Sequence, residues 1–255
     1  MSAGENMPRL GFRLGAKELV LLLRAVEPIS TEPIITADDS GLAVRAMDVS
    51  RTCMVDMRLA PSAFTEAVLP EEPVKFCLDI RSVLKVLKNV RKGEEAHAAL
   101  EEGRFSVSIR GAYKRTFRFP LLSITEEEPP QLSLEPEAAA KLPSGEFRRA
   151  LDDLAVAGVL YAHLAVDENG VVIRAEDADA SITFTPFFMP ELEVSGKAKA
   201  CYDMQFLLLM AKAGAPLADF VELGVGTDKP LKLSFVLPFE GHLIYWLAPR
   251  VREEA

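Results

Sequence analysis

Side chains able to do chemistry are few in this chain and far apart. The three histidines, His97, His163 and His242, have no metal-ligand spacing to one another or to a cysteine, so they read as strand or surface residues and no metal site is predicted. The three cysteines, Cys53, Cys77 and Cys201, lie outside any CxxC and read as buried thiols in a reducing compartment. Cys53 stands in an alternating stretch, Thr52 to Arg58, with no base beside it, and a thiol without an activator is a poor nucleophile. Gly224-Val-Gly226-Thr-Asp-Lys229 lacks the glycine gap and the Gly-Lys-Ser/Thr ending of a phosphate loop and reads as a turn between strands. Asp177 and Asp179 are close enough to share a cation, but acids are ordinary at a hairpin corner. These residues predict no catalytic set and no cofactor.

Charge is the remaining signal. Arg81, Lys85, Lys88 and Lys92 recur every three or four residues, which places them on one face of a helix with Val83, Leu84, Leu87 and Val90 on the apolar side. No acid lies between Arg81 and Lys92, and Arg91 adds a fifth cation to the run. Three further helical stretches contribute Lys17 and Arg24, Arg148 and Arg149, and Lys212. Such a face is either an ordinary solvated helix surface or a contact for phosphates. The whole chain is acidic, with 29 Lys and Arg against 38 Asp and Glu and a net charge of -9, so nucleic-acid binding requires the cations to be segregated. No zinc-finger spacing, ribonucleoprotein aromatic motif or zipper heptad accompanies them. Lys and Arg without a base-reading element touch phosphates, which fix position and carry no sequence information.

The elements that must hold these cations are written twice. Gly41-Leu-Ala-Val-Arg-Ala-Met-Asp48 aligns with Gly170-Val-Val-Ile-Arg-Ala-Glu-Asp177, and upstream at the same offset Lys17-Glu-Leu-Val-Leu-Leu-Leu falls on Glu146-Phe-Arg-Arg-Ala-Leu-Asp. Asp79-Ile-Arg-Ser-Val-Leu-Lys-Val-Leu-Lys88 aligns with Asp203-Met-Gln-Phe-Leu-Leu-Leu-Met-Ala-Lys212. Such duplication dictates two halves on one plan: strand, helix, several strands, second helix, more strands. In the first half Leu19, Leu22, Leu23 and Val26 have helical spacing, strands are predicted at 34–36, 42–46 and 54–58, and a second helix runs from Ile80 to about Val90 behind an Asp79 cap. A hairpin pairs 105–110 with 114–119. In the second half helices are predicted at 144–156 and 203–213 and strands at 161–166, 171–176, 181–187, 231–237 and 242–247, with a hairpin turn at Asp167-Glu-Asn-Gly170. Between the halves Pro120 to Leu134 holds three consecutive glutamates and a Pro-Pro pair. It reads as an extended connector, and its five leucine and isoleucine residues predict that part of it lies against the protein. The 255 residues, 49% of them hydrophobic, suffice for two cores. The N-terminal stretch has no cationic start followed by an apolar run, which predicts a soluble intracellular protein.

Three strings in this duplicated frame carry a family resemblance. Gly41 to Asp56, running through Met47-Asp-Val-Ser50 into a strand, Leu142-Pro-Ser-Gly-Glu-Phe147, and Gly241-His-Leu-Ile-Tyr-Trp-Leu-Ala-Pro-Arg250 together resemble the sliding clamps of the proliferating cell nuclear antigen family. The likeness covers essentially the whole chain. The short connectors and the lack of a long acidic extension after Glu254 resemble archaeal members.

The resemblance implies an α+β fold of two clamp domains, residues 1–119 and 135–255 joined by a connector at 120–134, with helices on the inner face of antiparallel sheets. It also implies a pseudo-six-fold ring of three subunits around duplex DNA, no enzyme activity and no cofactor. The positions that face the duplex in the family match Lys17, Arg24, Arg81, Lys85, Lys88, Arg91, Lys92, Arg148, Arg149 and Lys212, while Asp152 stands where a basic residue often occurs. The client-peptide pocket would include Met47, Ile124, Pro129, Leu132, Pro230, Trp246, Ala248 and Pro249, with Trp246 replacing the usual tyrosine. Subunits would join through Tyr113 to Phe119 of one chain and Ser181 to Phe187 of the next, with Tyr113, Arg115, Phe117, Ile182 and Phe184 in contact and Pro186 interrupting the ladder. The implied partners are DNA polymerase, clamp loader, flap endonuclease and DNA ligase. Two alternatives stay open: a specialised subunit of a heterotrimeric clamp with few clients, and a small-molecule enzyme on duplicated halves, which would need a concave site with convergent titratable groups.

Overall fold

The computed structural model describes residues 10–125, 128–176, 178–189 and 192–250. The first-half elements are β1 (Leu10–Gly15), α1 (Ala16–Val26), β2 (Ile34–Asp38), β3 (Gly41–Met47), β4 (Cys53–Leu59), β5 (Glu66–Val68), β6 (Val74–Cys77), α2 (Ile80–Leu87), β7 (Glu95–Glu101), β8 (Arg104–Arg110) and β9 (Lys114–Pro120). The second half follows with β10 (Ala138–Pro143), α3 (Ser144–Val156), β11 (Tyr161–Asp167), β12 (Gly170–Ala175), β13 (Ser181–Phe184), β14 (Glu193–Gly196), β15 (Ala198–Asp203), α4 (Met204–Gly214), β16 (Phe220–Val225), β17 (Leu231–Phe235) and β18 (Gly241–Leu247). Two compact units emerge, one drawing on residues 10–46, 57–128 and 239–241, the other on 47–56, 129–238 and 242–250. Among the described residues, no helix is long and apolar enough to cross a membrane.

The duplication extends to strand order. The first half forms the antiparallel runs β5-β1-β7-β8-β9 and β6-β2-β3-β4, and the second half forms β14-β10-β16-β17-β18 and β15-β11-β12-β13. Each strand of one half therefore has a counterpart in the same place of the other, as the aligned strings predicted. The second helices share a cap as well: Asp79 accepts the Ser82 N–H at 3.2 Å, and Asp203 accepts the Gln205 N–H at 2.8 Å. Burial of one face explains the folding of each helix. Leu19, Leu22 and Val26 of α1, Ile80, Val83 and Leu87 of α2, Phe147, Leu151 and Leu154 of α3, and Leu207 and Met210 of α4 are all buried.

The repeat places glycine at the entry of β3 and again at the entry of β12. Gly41 has φ +122° and Gly170 φ +138°, a region closed to side-chain-bearing residues. A Cβ on Gly41 would stand 1.9 Å from the Leu59 carbonyl oxygen, and one on Gly170 would stand 1.9 Å from that of Phe184. In both halves a strand neighbour crosses at the same point.

Most boundaries agree with the sequence expectation within two residues, and three elements stop two or more residues short of it. α2 ends at Leu87, not near Val90. The Val90 N–H turns back to the Leu87 carbonyl at 3.1 Å and the Glu94 carboxylate accepts the Arg91 N–H at 2.8 Å, so the chain leaves the helix to reach β7. Arg91 and Lys92 consequently sit on a loop rather than on the helical face. β13 stops at Phe184 because the Thr185 carbonyl accepts the Phe188 and Met189 N–H groups in a turn, and Pro186 has no N–H for a ladder. β17 stops at Phe235 instead of Leu237, one rung of backbone pairing remaining beyond it where the Val236 N–H meets the Phe220 carbonyl at 3.1 Å.

The connector is anchored on the first unit. The Leu122 N–H donates to the Cys77 carbonyl at 3.0 Å. Farther along, Thr36 Oγ1 donates to Glu128 at 2.8 Å and Lys75 Nζ approaches the same carboxylate to 3.2 Å.

Candidate nucleic-acid interface

Within the first unit α1 packs beside α2, and within the second α3 packs beside α4. Because the apolar face of each helix is spent on the core, its cations have only the outside to occupy. All ten sequence-selected cations, Lys17, Arg24, Arg81, Lys85, Lys88, Arg91, Lys92, Arg148, Arg149 and Lys212, are exposed. They are not equally available. Arg81 Nε lies 3.1 Å from Glu27 at the end of α1, and Lys212 Nζ lies 2.8 Å from Asp152 on α3. The acid that broke the family pattern in the sequence thus neutralises its neighbour. Among the described residues, Lys17, Arg24, Lys85, Lys88, Arg148 and Arg149 make no ion pair, and their charge is free to meet an external anion.

The residues of the predicted client pocket separate into groups. Met47 opens a tight loop whose organiser is Asp48. One carboxylate oxygen accepts the Thr52 and Cys53 N–H groups at 2.7 and 2.6 Å, and the other accepts the Ser50 N–H at 3.0 Å. This gives the Met-Asp-x-Ser string a physical reason, since one side chain satisfies three backbone donors that no strand partner reaches. Val49 is held out at the tip, fully exposed at 105%. Sequence reasoning passes over this residue; its signal is an apolar side chain between Asp and Ser in a turn. The Ala248 N–H donates to the Thr52 carbonyl at 2.8 Å, which seats half-buried Ala248 and Pro249 beside the same loop. Pro230, half-buried, leads into Leu231, the register partner of Leu247. Trp246 is buried at 6% with Lys232 Nζ 5.7 Å from its ring centroid, so its ring is not an open wall. Pro129 and Leu132 are half-buried, and Ile124 belongs to the first unit and is 45% exposed.

Burial opposes ionisation of Asp48, yet donation from the Cys53, Ser50 and Thr52 groups holds its carboxyl below the usual carboxylate range. A depressed pKa adds stability that is present above the unfolded value of about 3.9 and is lost as pH falls through the folded one. Asp48→Ala is therefore expected to destabilise the chain by about 1–2 kcal/mol at pH 7, with the deficit shrinking below pH 4. Urea melts of both chains at pH 7 and pH 3.5 check this.

The predicted subunit edges are edge strands: β9 ends one run of the first half and β13 ends one run of the second. Tyr113 is 66% exposed, and Phe117 and Ile182 are half-buried. Phe184 is buried, and Arg115 is engaged inside its own chain, 2.7 Å from Glu94 and 5.3 Å from the Tyr113 ring centroid. Beyond β13, Phe187 and Phe188 stack edge to face and remain 85% and 79% exposed.

The residues weighed for chemistry do not assemble a reaction centre. Burial, followed by the Asp48 charge, pushes the Cys53 thiol up to about 12, which removes the thiolate a nucleophile needs. A polar cleft of about 40 Å³ is lined by Arg13, His97, Arg110 and Lys114 with Glu95 and Ser108, and the Ser108 hydroxyl shares a 2.8 Å hydrogen bond with Thr116. His242 Nε2 lies 3.1 Å from Asp56 on the second unit. Asp177, a weighed metal ligand, lies outside the described residues.

A duplicated α+β chain with two packed helices in each half has the fold of the DNA clamps. The description "Proliferating cell nuclear antigen, N-terminal domain" matches residues 15–104. The DNA polymerase sliding clamp of Pyrococcus horikoshii is 30% identical over 251 residues, covering 94% of this chain and 97% of that protein. DNA polymerase sliding clamp 1 of Pyrobaculum aerophilum is 28% identical over 243 residues, covering 93% and 96%. Among solved structures, the PCNA2–PCNA3 complex of Sulfolobus tokodaii aligns with a TM-score of 0.86 at 25% identity over 94% of this chain and 99% of that one. The proliferating cellular nuclear antigen of Entamoeba histolytica aligns at 0.87 and 20% identity over 96% and 100%, a likeness of fold. The chain belongs to the proliferating cell nuclear antigen family of DNA polymerase sliding clamps, a family of non-enzymatic processivity factors.

Proposed function

We propose that three copies, or this chain with two sister subunits, close into a pseudo-six-fold ring around duplex DNA and hold a DNA polymerase on its template. The observation that carries this reading is the set of exposed, unpaired cations on α1, α2 and α3. Contacts of Lys and Arg with phosphates are weak, salt-sensitive and indifferent to sequence. A closed ring prevents escape by topology, so weak contacts suit it because they permit sliding. In this reading each subunit contributes two clamp domains, residues 1–119 and 135–255, joined by a connector at 120–134.

Clients, among them the polymerase, the clamp loader, a flap endonuclease and a DNA ligase, dock a short helix against Met47, Val49, Pro230, Ala248 and Pro249. Apolar side chains on a rigid loop beside two prolines offer a pre-shaped seat at small entropic cost. The protein works on the nucleoid of a prokaryotic cell.

Subunits join β9 to β13, since unpaired edges are templates for pairing. β13 offers only four residues, and the exposed Phe187–Phe188 pair beside it favours a partner with a matching apolar surface, as in a heterotrimer. Light scattering of the purified chain at several concentrations distinguishes the assemblies. A mass near three times 27.9 kDa is the homotrimer, and a monomer directs the measurement to mixtures with sister subunits. Failure to stimulate a cognate polymerase on long primed templates in every such mixture overturns the proposal.

A further inference from the structure

One constellation has no part in the DNA face, the client seat or the subunit edges. In the antiparallel run β12-β11-β15, His163 lies directly opposite Cys201 on one side and Arg174 on the other. Just past β12, the Glu176 N–H donates to the Tyr161 carbonyl at 2.9 Å, which brings the Glu176 carboxylate toward the same strip. Glu176 Oε1 stands 4.0 Å from His163 Nε2, and the Cys201 thiol donates to Oε2 at 3.6 Å. The three ligating atoms all lie within 4.8 Å of one another, with Cys201 buried and the other two half-buried.

We propose that His163, Glu176 and Cys201 form a binding site for a borderline-soft divalent cation of the zinc class. The donor set selects the metal. Thiolate and imidazole favour zinc, cobalt and copper over magnesium and calcium, and three protein ligands leave a fourth position for water. In a tetrahedral zinc site the ligand atoms stand roughly 3.3–3.8 Å apart, given metal–ligand bonds of 2.0–2.3 Å. The 4.0 Å between His163 Nε2 and Glu176 Oε1, and the 4.8 Å that bounds all three separations, exceed that range by about an ångström or less, a gap that side-chain rotation closes. When the cation binds, the Cys201 S–H proton passes to solvent, the hydrogen bond from that thiol to Glu176 is given up and the thiolate takes the metal, while His163 binds as neutral imidazole.

Arg250 is placed to tolerate this. The Arg250 guanidinium is paired with Glu176 Oε2 and lies 3.8 Å from the Tyr161 ring centroid. The metal takes Oε1 and leaves Oε2 to Arg250, so the arginine becomes the outer group that orients a ligand. The Arg250 N–H also donates to the Cys201 carbonyl at 2.8 Å.

The site is invisible to sequence spacing because its ligands are brought together only by strand register. The test titrates the full-length, reduced chain with Co²⁺ and follows absorbance. One equivalent is expected to give a sulfur-to-cobalt charge-transfer band with tetrahedral d–d bands, and Zn²⁺ is expected to displace it. Cys201→Ser removes the charge-transfer band even though Cys53 and Cys77 remain, and His163→Gln weakens binding at least tenfold. Arg250→Ala keeps the band. Circular dichroism checks that each variant is folded, and His163→Gln carries the test if Cys201→Ser is not. Absence of the band at millimolar Co²⁺, or the same band in both the Cys201 and His163 variants, overturns the proposal.

Discussion

Reversing Lys85 and Lys88 together, K85E/K88E, is expected to shorten processive synthesis at least tenfold while leaving the melting temperature nearly unchanged. Both side chains are exposed, and among the described residues neither has an ion-pair partner. Removing one phosphate interaction should reduce the slope of log binding against log salt by about 0.9, and each new carboxylate adds repulsion. The fold has little at stake. Glu at position 85 lies one turn beyond Arg81 and gains at most about 0.2 kcal/mol, the acid being C-terminal to a base already paired with Glu27, while Glu at 88, the C-cap of α2, loses about 0.3–1 kcal/mol to the helix dipole. Arg81→Glu is the informative control. Its guanidinium is already 3.1 Å from Glu27, so less positive field reaches the DNA, and the loss should be several-fold smaller per charge. Salt-dependent binding to nicked circles, with polymerase run length beside it, measures both variants. Equal effects from the single and double changes would mean that local pairing does not ration the charge.

How much of this was legible in the sequence depended on whether the responsible interactions were local. The aligned strings marked duplicated halves, and the strand orders repeat element for element. Asp79 was readable as a cap because a helix start needs only a side chain and an N–H three residues on. The end of α2 was not, since what stops it is the Glu94 carboxylate waiting on the Arg91 N–H at the turn into β7. Charge was legible as a list of cations, but availability was not. Glu27 and Asp152 are distant in sequence from Arg81 and Lys212, and only packing of one helix on the other joins them. The Met-Asp-x-Ser string was legible as a family mark; its reason, three backbone donors meeting the Asp48 carboxylate, required the loop. His163, Glu176 and Cys201 show the limit most clearly, because antiparallel register juxtaposes residues that no spacing rule connects.

Gly170→Ala and Gly41→Ala are each expected to destabilise the chain by about 3 kcal/mol, roughly a 150-fold change in the folded-to-unfolded ratio. Two terms combine. The left-handed φ at both sites penalises any side chain by about 1–2 kcal/mol, and the new Cβ meets a carbonyl oxygen of the neighbouring strand at 1.9 Å, so that strand must move. Gly93 and Gly158 separate the terms, because they share a positive φ, of +85° and +80°, but have nothing within 4 Å of a Cβ. Alanine there should cost about 1–2 kcal/mol, and the excess at Gly41 and Gly170 is the price of displacing a strand. Urea melts of the four variants give the comparison, and equal losses at all four would show that the neighbouring strands yield freely. The two duplicated sites should then part company in assembly. The oxygen pressed at Gly41 belongs to Leu59 on β4, whereas the one pressed at Gly170 belongs to Phe184, the last residue of the edge strand β13. If subunits join through that edge, Gly170→Ala weakens the ring beyond its effect on folding and Gly41→Ala does not, a difference that light scattering reads under conditions where both chains remain folded.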